Sequence, residues 1–277
     1  MPYIPIDEIR DGLFYTDSGG RGRPIVLIHG WPLSHASWDA ISHSLVEAGH
    51  RVITYDRRGF GQSFKPENGY DYDTFAADLN AVMTHLNLVD VCLVGFSMGG
   101  GEVARYIGRY GTGRVTGAVF IGAITPCLGI EHPDNAEGAL STDAVCQMQK
   151  EFAADREGFL QQFLTTFYSI DDSGQQRLMV DPEQIETSLR WAEPALSRAL
   201  SESIATWASD FRSDVDKIAI PVLVIHGRAD QIVPFEASGA RMGRIPTASV
   251  VTIEDGPHGI LSSHEQVVTT ALLDFLS

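Results

Sequence analysis

Gly95-Phe96-Ser97-Met98-Gly99 is the stretch whose reading decides the fold. Val91-Cys92-Leu93-Val94 precedes it, a short apolar run with the character of a buried strand. From Met98 to about Tyr110 the spacing of Val103, Ala104 and Ile107 draws one helical face. Strand, sharp turn and helix together make the G-x-S-x-G pattern a nucleophile elbow rather than a glycine-rich turn with an incidental serine. Such a turn holds its serine in a strained backbone conformation at the C-terminal end of the strand. The flanking glycines leave room where a Cβ would collide with neighbouring chain. The hydroxyl is then presented at the N-terminus of the following helix, which favours negative charge developing there.

Outward from the elbow, strand and helix patterns alternate. Gly12–Asp17 reads as an early strand ended by Ser18-Gly19-Gly20, and Pro24–Ile28 is a continuous apolar run suited to a strand covered on both faces. Trp38–Ala48 has a helical pattern closed by Gly49, Arg51–Tyr55 is the next strand, and Asp73–Leu88 is a helix with Phe75, Leu79, Val82 and Leu86 on one face. Gly117–Ile121 is a further buried strand. From Cys127 to Asp210 strand-like runs are absent and helical stripes dominate: Phe159, Leu160, Phe163, Leu164 and Phe167, then Leu196, Leu200, Ile204 and Trp207. Asp181-Pro182-Glu183-Gln184 reads as a helix start, with Asp181 as N-cap, Pro182 at N1 and Gln184 in the capping-box position. Strands resume at Pro221–Ile225 and Ser249–Ile253. Ser262–Leu276 closes as a helix with Val267, Val268, Leu272 and Phe275 turned inward. The pattern predicts an α/β fold whose mostly parallel sheet is covered by helices on both faces. Residues 1–126 and 211–277 form the core, and 127–210 an inserted helical cap. Most cap aromatics are expected to pack in its core and a few to line a pocket.

A serine hydroxyl needs a base within hydrogen-bond reach, and the base needs an orienting group. In this architecture the partners follow in the order serine, acid, histidine, each on a loop after a later strand. Asp230 follows the strand ending at Ile225, and His258 the strand ending at Ile253. Both stand at C-terminal strand ends, where open α/β sheets bind ligands. The expected catalytic set is therefore Ser97, Asp230 and His258. Asp255 competes as the acid but lies too close to His258 in sequence to occupy a separate strand end. His264 competes as the base but is carried off by its helix, and His226 is read as a hydrogen-bonded structural residue. The oxyanion hole needs two backbone N–H groups. Met98 supplies one as the residue after the nucleophile. Trp31, in His29-Gly30-Trp31-Pro32, supplies the other, since Pro32 has no N–H. The charged, glycine-punctuated loop Asp56–Ser63 has no partner set for catalysis and reads as a structural turn. The histidines are dispersed, so no metal site is expected.

The chain resembles the α/β-hydrolase fold throughout and, more narrowly, the bacterial arylesterases and cofactor-free haloperoxidases, or perhydrolases. The resemblance rests on His29-Gly30-Trp31-Pro32, Tyr55-Asp56-Arg57-Arg58-Gly59-Phe60-Gly61-Gln62-Ser63, Val94 to Gly101, and His226-Gly227 with Asp230-Gln231-Ile232-Val233-Pro234. It is dense over the sheet and weak over the cap. It implies the same triad and oxyanion donors, cleavage of small esters, and peracid formation from a carboxylic acid and hydrogen peroxide. It also implies halide oxidation by the released peracid, with no haem, metal or other cofactor. Pro32 is then expected to tune perhydrolysis. Proline restricts Trp31 to extended conformations and so sets where the Trp31 carbonyl points, beside the oxyanion donor. A carbonyl aimed into the site accepts a hydrogen bond from peroxide attacking the acyl-enzyme; simple stiffening of the loop is the competing role. A lactonase, amidase or carbon–carbon hydrolase on the same triad, or a ligand receptor keeping the fold, are the alternatives. Haloalkane dehalogenase is disfavoured, because that chemistry has an aspartate where Ser97 stands.

Composition bounds the rest. The 277 residues are 44% apolar, enough for one large domain with an insertion, and the net charge is −16. Such a surface repels nucleic-acid phosphates and anionic membranes, leaving a small-molecule ester or acid as the expected partner. A homo-oligomer is left open. Met1–Glu8 shows no basic segment followed by an apolar one, and no apolar run is long enough to span a bilayer. Cys92, Cys127 and Cys146 are scattered and odd in number, which argues for reduced thiols and a cytoplasmic location.

Overall fold

The computed structural model describes residues 2–6 and 9–277; Met1, Asp7 and Glu8, part of the octapeptide read for a leader, lie outside the described residues. The chain enters through two strands, β1 (Tyr3–Ile6) and β2 (Ile9–Asp17), then β3 (Pro24–Ile28), α1 (Asp39–Glu47), β4 (Arg51–Tyr55) and α2 (Tyr72–His85). The elbow unit follows as β5 (Val91–Phe96) and α3 (Met98–Tyr110), and then β6 (Val115–Ile121). The chain next leaves the sheet for α4 (Thr142–Ala154), α5 (Arg156–Phe167), the hairpin β7 (Ser169–Asp172) and β8 (Gln175–Leu178), α6 (Pro182–Ala192), α7 (Ser197–Ala205) and the one-turn α8 (Arg212–Val215). It returns through β9 (Val222–Gly227), α9 (Gly239–Met242), β10 (Ala248–Ile253), α10 (Ile260–Ser263) and α11 (Glu265–Leu276).

The main sheet runs β1-β2-β4-β3-β5-β6-β9-β10. From β4 to β10 every pairing is parallel, while β1–β2 and β2–β4 are antiparallel. The apolar runs in the central strands are continuous because both faces are covered. Val26 and Ile28 enter one buried cluster while Ile25 and Leu27 enter another. Val222 and Val224 divide from Leu223 and Ile225 in the same way. α2 and α3 cover the first face with Phe75, Leu79, Val103 and Ile107, and α1 and α11 cover the second with Ile41, Leu45, Val268 and Leu272. Each such side chain contributes about 1.5–3 kcal/mol of burial.

Register aligns the strand ends. Ile28 pairs with Gly95, Phe96 with Ile121, Ile121 with Ile225, and Gly227 with Ile253. The loops leaving β3, β5, β9 and β10 therefore emerge along one edge.

Four local readings need correction. β1 escaped the sequence reading; it contains Pro5 and is the outermost strand, where a proline is tolerated. Between Cys127 and Asp210 there is a hairpin. Its strands are mostly polar, and Ser173-Gly174 turns it with φ of +58° and +83°, the two positive values of a type I′ turn. Asp181 caps α6 by accepting from Glu183 N–H, with Pro182 behind it, but Gln184 turns its amide to Ser188 Oγ instead of back to the cap. The closing helix breaks at His264 (φ −133°), so α11 buries Val268, Leu272 and Leu276 and leaves Val267 44% exposed.

Candidate active site

Ser97 sits between β5 and α3 with φ +54° and ψ −118°, a region non-glycine residues seldom occupy. Three backbone bonds hold it there: Ser97 N–H to Ile121 O at 2.8 Å, Gly100 N–H to Ser97 O at 3.0 Å and Ile124 N–H to Ser97 O at 3.4 Å. The glycines are required by close approach. A Cβ on Gly95 would lie 2.4 Å from Gly99 O, and one on Gly99 would lie 2.4 Å from Ile28 O.

His258 Nε2 is 2.9 Å from Ser97 Oγ, and His258 Nδ1 is 2.7 Å from Asp230 Oδ2. With a carboxylate at Nδ1, that nitrogen carries the proton and Nε2 faces the serine hydroxyl as an acceptor. Asp230 Oδ1 accepts from Ile232 N–H (2.9 Å) and Val233 N–H (2.8 Å), the turn immediately after it in sequence. All three side chains are buried. Burial opposes ionisation of Asp230, yet the charge of His258 and the hydrogen bonds from His226 and His258 hold its carboxyl well below the usual carboxylate range. Phe96 and Phe167 pack on the His258 ring at centroid distances of 5.3 and 4.8 Å.

The competing acid and bases lie elsewhere. Asp255 pairs with His264 at 3.2 Å, away from Ser97, and His226 Nε2–H donates to Val233 O at 2.8 Å. His226 also lies 3.4 Å from Asp230 Oδ2, a link that the sequence order did not suggest.

Trp31 stands in a turn closed by Leu33 N–H to Gly30 O at 3.0 Å, with a cis Trp31–Pro32 bond. A Cβ on Gly30 would lie 3.0 Å from Ser97 Cβ, so this turn lies directly against the serine. Met98 opens α3, and its N–H has no helical acceptor. Beneath the turn, the Asp56–Ser63 loop is structural. Asp56 accepts from His35 N–H, His35 Nδ1–H and Gln62 N–H. Arg57 donates its N–H to His29 Nε2 (3.1 Å) and its Nη2–H to His29 O (2.9 Å), and pairs through Nε with Glu102 (2.8 Å), which also accepts from Tyr55. Burial, reinforced by the charge of Arg57, pushes His29 down to about 3. Burial likewise drives Glu102 well above the usual carboxylate range and lowers Arg57 to about 10. Sequence reasoning missed this network, since Glu102 carried no motif; its place one turn after the elbow was the only signal.

Over Ser97 lies a cavity of about 380 Å³. Its walls join Trp31 and Ile232 of the sheet edge to Phe159, Phe163 and Trp207 of the 127–210 segment. Trp31 stands edge-on to Phe163 (4.8 Å) and Trp207 (5.1 Å), and its Nε1–H donates to Leu200 O. Among the described residues, no three His, Cys, Asp or Glu side chains gather into a metal-binding cluster, and no helix is long and apolar enough to cross a membrane. Cys92, Cys127 and Cys146 are free thiols.

A family model for the alpha/beta hydrolase fold matches residues 23–265. The chain belongs to the α/β-hydrolase family. This hydrolase is 38% identical to the non-heme chloroperoxidase CPO-A1 of Kitasatospora aureofaciens over 99% of its own length and 100% of the relative's. It is 32% identical to the bifunctional esterase/perhydrolase DCH of Acinetobacter calcoaceticus, over 100% and 99%. Among solved structures, a bromoperoxidase from Bacillus anthracis superposes with a TM-score of 0.90 at 44% identity, covering 95% of each chain.

Proposed function

We propose that this α/β hydrolase cleaves small carboxylic esters through a Ser97 acyl-enzyme and, with hydrogen peroxide as the acceptor, forms peracids. The observation that carries the reading is the unbroken chain from Ser97 Oγ through His258 to Asp230, at 2.9 and 2.7 Å, opening into an apolar cavity. His258 takes the Ser97 proton as Oγ attacks the ester carbonyl, and Asp230 stabilises the imidazolium. The tetrahedral oxyanion is held by Trp31 and Met98 N–H. The alcohol leaves with the proton from His258. Water attack then releases the acid; attack by peroxide releases the peracid, and Ser97 recovers its proton either way. The activities named for the chloroperoxidase and esterase/perhydrolase relatives support the same chemistry. No step needs a metal or organic cofactor.

Residues 127–210 act as the cap in this reading. In support, the two ends of that segment lie side by side: Cys127 bridges Asp210, and Phe211 N–H donates to Pro126 O. The protein works on a small molecule as a cytoplasmic enzyme.

The test is Ser97→Ala with a serine-directed phosphonate as probe. The variant should lose ester turnover by roughly 10⁴–10⁶-fold while folding normally, and the phosphonate should label Ser97 alone. Wild-type turnover in the variant would remove the nucleophile. Pro32, in the turn against Ser97, is assigned to acceptor choice. Pro32→Leu should lower peracid formation more than p-nitrophenyl acetate hydrolysis, by about tenfold in their ratio if about 1.4 kcal/mol of selectivity rests there. An unchanged ratio leaves Pro32 a loop stiffener.

A further inference from the structure

Among the described residues, the cavity over Ser97 carries a single charged side chain, Glu151 of α4. Among the described residues, no Lys, Arg or His lines it. Ser97 is buried, whereas Glu151 is exposed, so Glu151 lies on the outer, solvent side of the lining. Gln147 Nε2–H donates to its Oε1 at 2.8 Å. Gln162, Thr166 and Gln231 are the other polar side chains that line the cavity besides Ser97, while Trp31, Phe159, Phe163 and Trp207 give it an aromatic wall.

Three features of different range then act in one direction. An aromatic wall attracts a cation lying over a ring face. A carboxylate on the outer side of the lining attracts it at short range, and the chain's net charge of −16 attracts it at long range. A carboxylate-bearing substrate meets the opposite: it would lose hydration on entry with no cation to replace the water.

We infer that the cavity selects esters carrying an ammonium or quaternary ammonium group remote from the scissile bond over their neutral isosteres, and discriminates against esters bearing a second, free carboxylate. Glu151 is the specificity-determining residue. The inference rests on the ester-hydrolase reading for its substrates, but the cation site itself is separable from turnover.

The experiment compares three esters of one short-chain acid: the 2-(trimethylammonio)ethyl ester, the isosteric 3,3-dimethylbutyl ester, and one whose alcohol ends in a carboxylate. The readout is the ratio of kcat/KM for the charged esters to that for the neutral one, in wild type, Glu151→Gln and Glu151→Lys. The ratio cancels any general loss of folded enzyme. The cationic-to-neutral ratio should fall roughly two- to fivefold in Glu151→Gln, the scale of one exposed charge, and further in Glu151→Lys. The carboxylate ester should gain in both, and added salt should compress the differences. In parallel, phenyltrimethylammonium is titrated against tryptophan fluorescence in Ser97→Ala, with and without Glu151→Gln. Loss of affinity with Glu151→Gln establishes the cation site even if no ester is turned over, in which case the hydrolase reading alone falls. Esters hydrolysed with charge ratios and cation affinity unmoved by either Glu151 variant would overturn the inference.

Discussion

Ser97 holds a backbone conformation that costs on the order of 1–3 kcal/mol, and it is retained because Ile121 O, Gly100 N–H and the close packing of Gly95 and Gly99 leave no alternative. The residue pattern announced this strain, since glycine at both flanks is what the geometry requires. His29 was not announced in the same way. It reads as part of a motif, yet its ring is fully buried, with Nδ1–H directed to Gly30 O and Nε2 accepting from Arg57 N–H. A proton on Nε2 would face another donor, so folding keeps the ring neutral and its folded value falls to about 3 from 6.5. The unfolded chain therefore binds the proton first as pH drops. The contribution is intact above about pH 6.5 and is lost below it, by up to about 1.4 kcal/mol per pH unit until the folded value is reached. His35 works the other way, since its bond to Asp56 raises it against burial. The effect of His29 is thus read as a difference between proteins. Between pH 7 and pH 5, wild type should lose about 2 kcal/mol more stability than His29→Asn, measured by urea unfolding. Parallel pH profiles would show that His29 titrates freely in the folded protein.

At the scale of elements, the strands and helices of the sheet were legible because periodicity and burial coincide. α3 starts at Met98 as expected, and the alternation of β3, β5 and β9 between two buried clusters follows their unbroken apolar runs. Legibility failed where a short element is stabilised by partners rather than by its own pattern. β1 is held by pairing with β2, and the β7–β8 hairpin by a two-residue turn. α11 shows how one local break redirects a face. His264 ends α10, and the new helix counts from Glu265, so Val268, Leu272 and Leu276 share the inner stripe at i, i+4 and i+8. Leu272→Ala should therefore destabilise by about 2–5 kcal/mol, whereas Val267→Ala should stay within about 0.5 kcal/mol. Denaturant midpoints decide; comparable losses would mean that the helix is one continuous element with Val267 inward.

On the scale of the whole molecule, the cavity is a joint product of the sheet edge and the 127–210 segment, with Phe163 packed against both Trp31 and Trp207. Phe163→Ala should enlarge it. The ratio of kcat/KM for a longer-chain ester to that for an acetate should then rise by roughly tenfold, and an unmoved ratio would place the chain-length limit elsewhere in the wall. Ser97, Asp230 and His258 could be named from one dimension because each follows a strand in a parallel sheet, and the order of strands in the chain carries the order of groups along the edge. By itself the sequence determined the fold class, the elbow and the chain order of the three groups, all consequences of local periodicity and local turn chemistry. Tertiary structure alone decided that Asp255 turns to His264, that Arg57 and Glu102 lie beneath His29, and which aromatics of the 127–210 segment line the cavity with Ser97. Those outcomes depend on contacts between residues from nine to more than a hundred positions apart, where strand register and helix packing, not spacing along the chain, set which side chains meet.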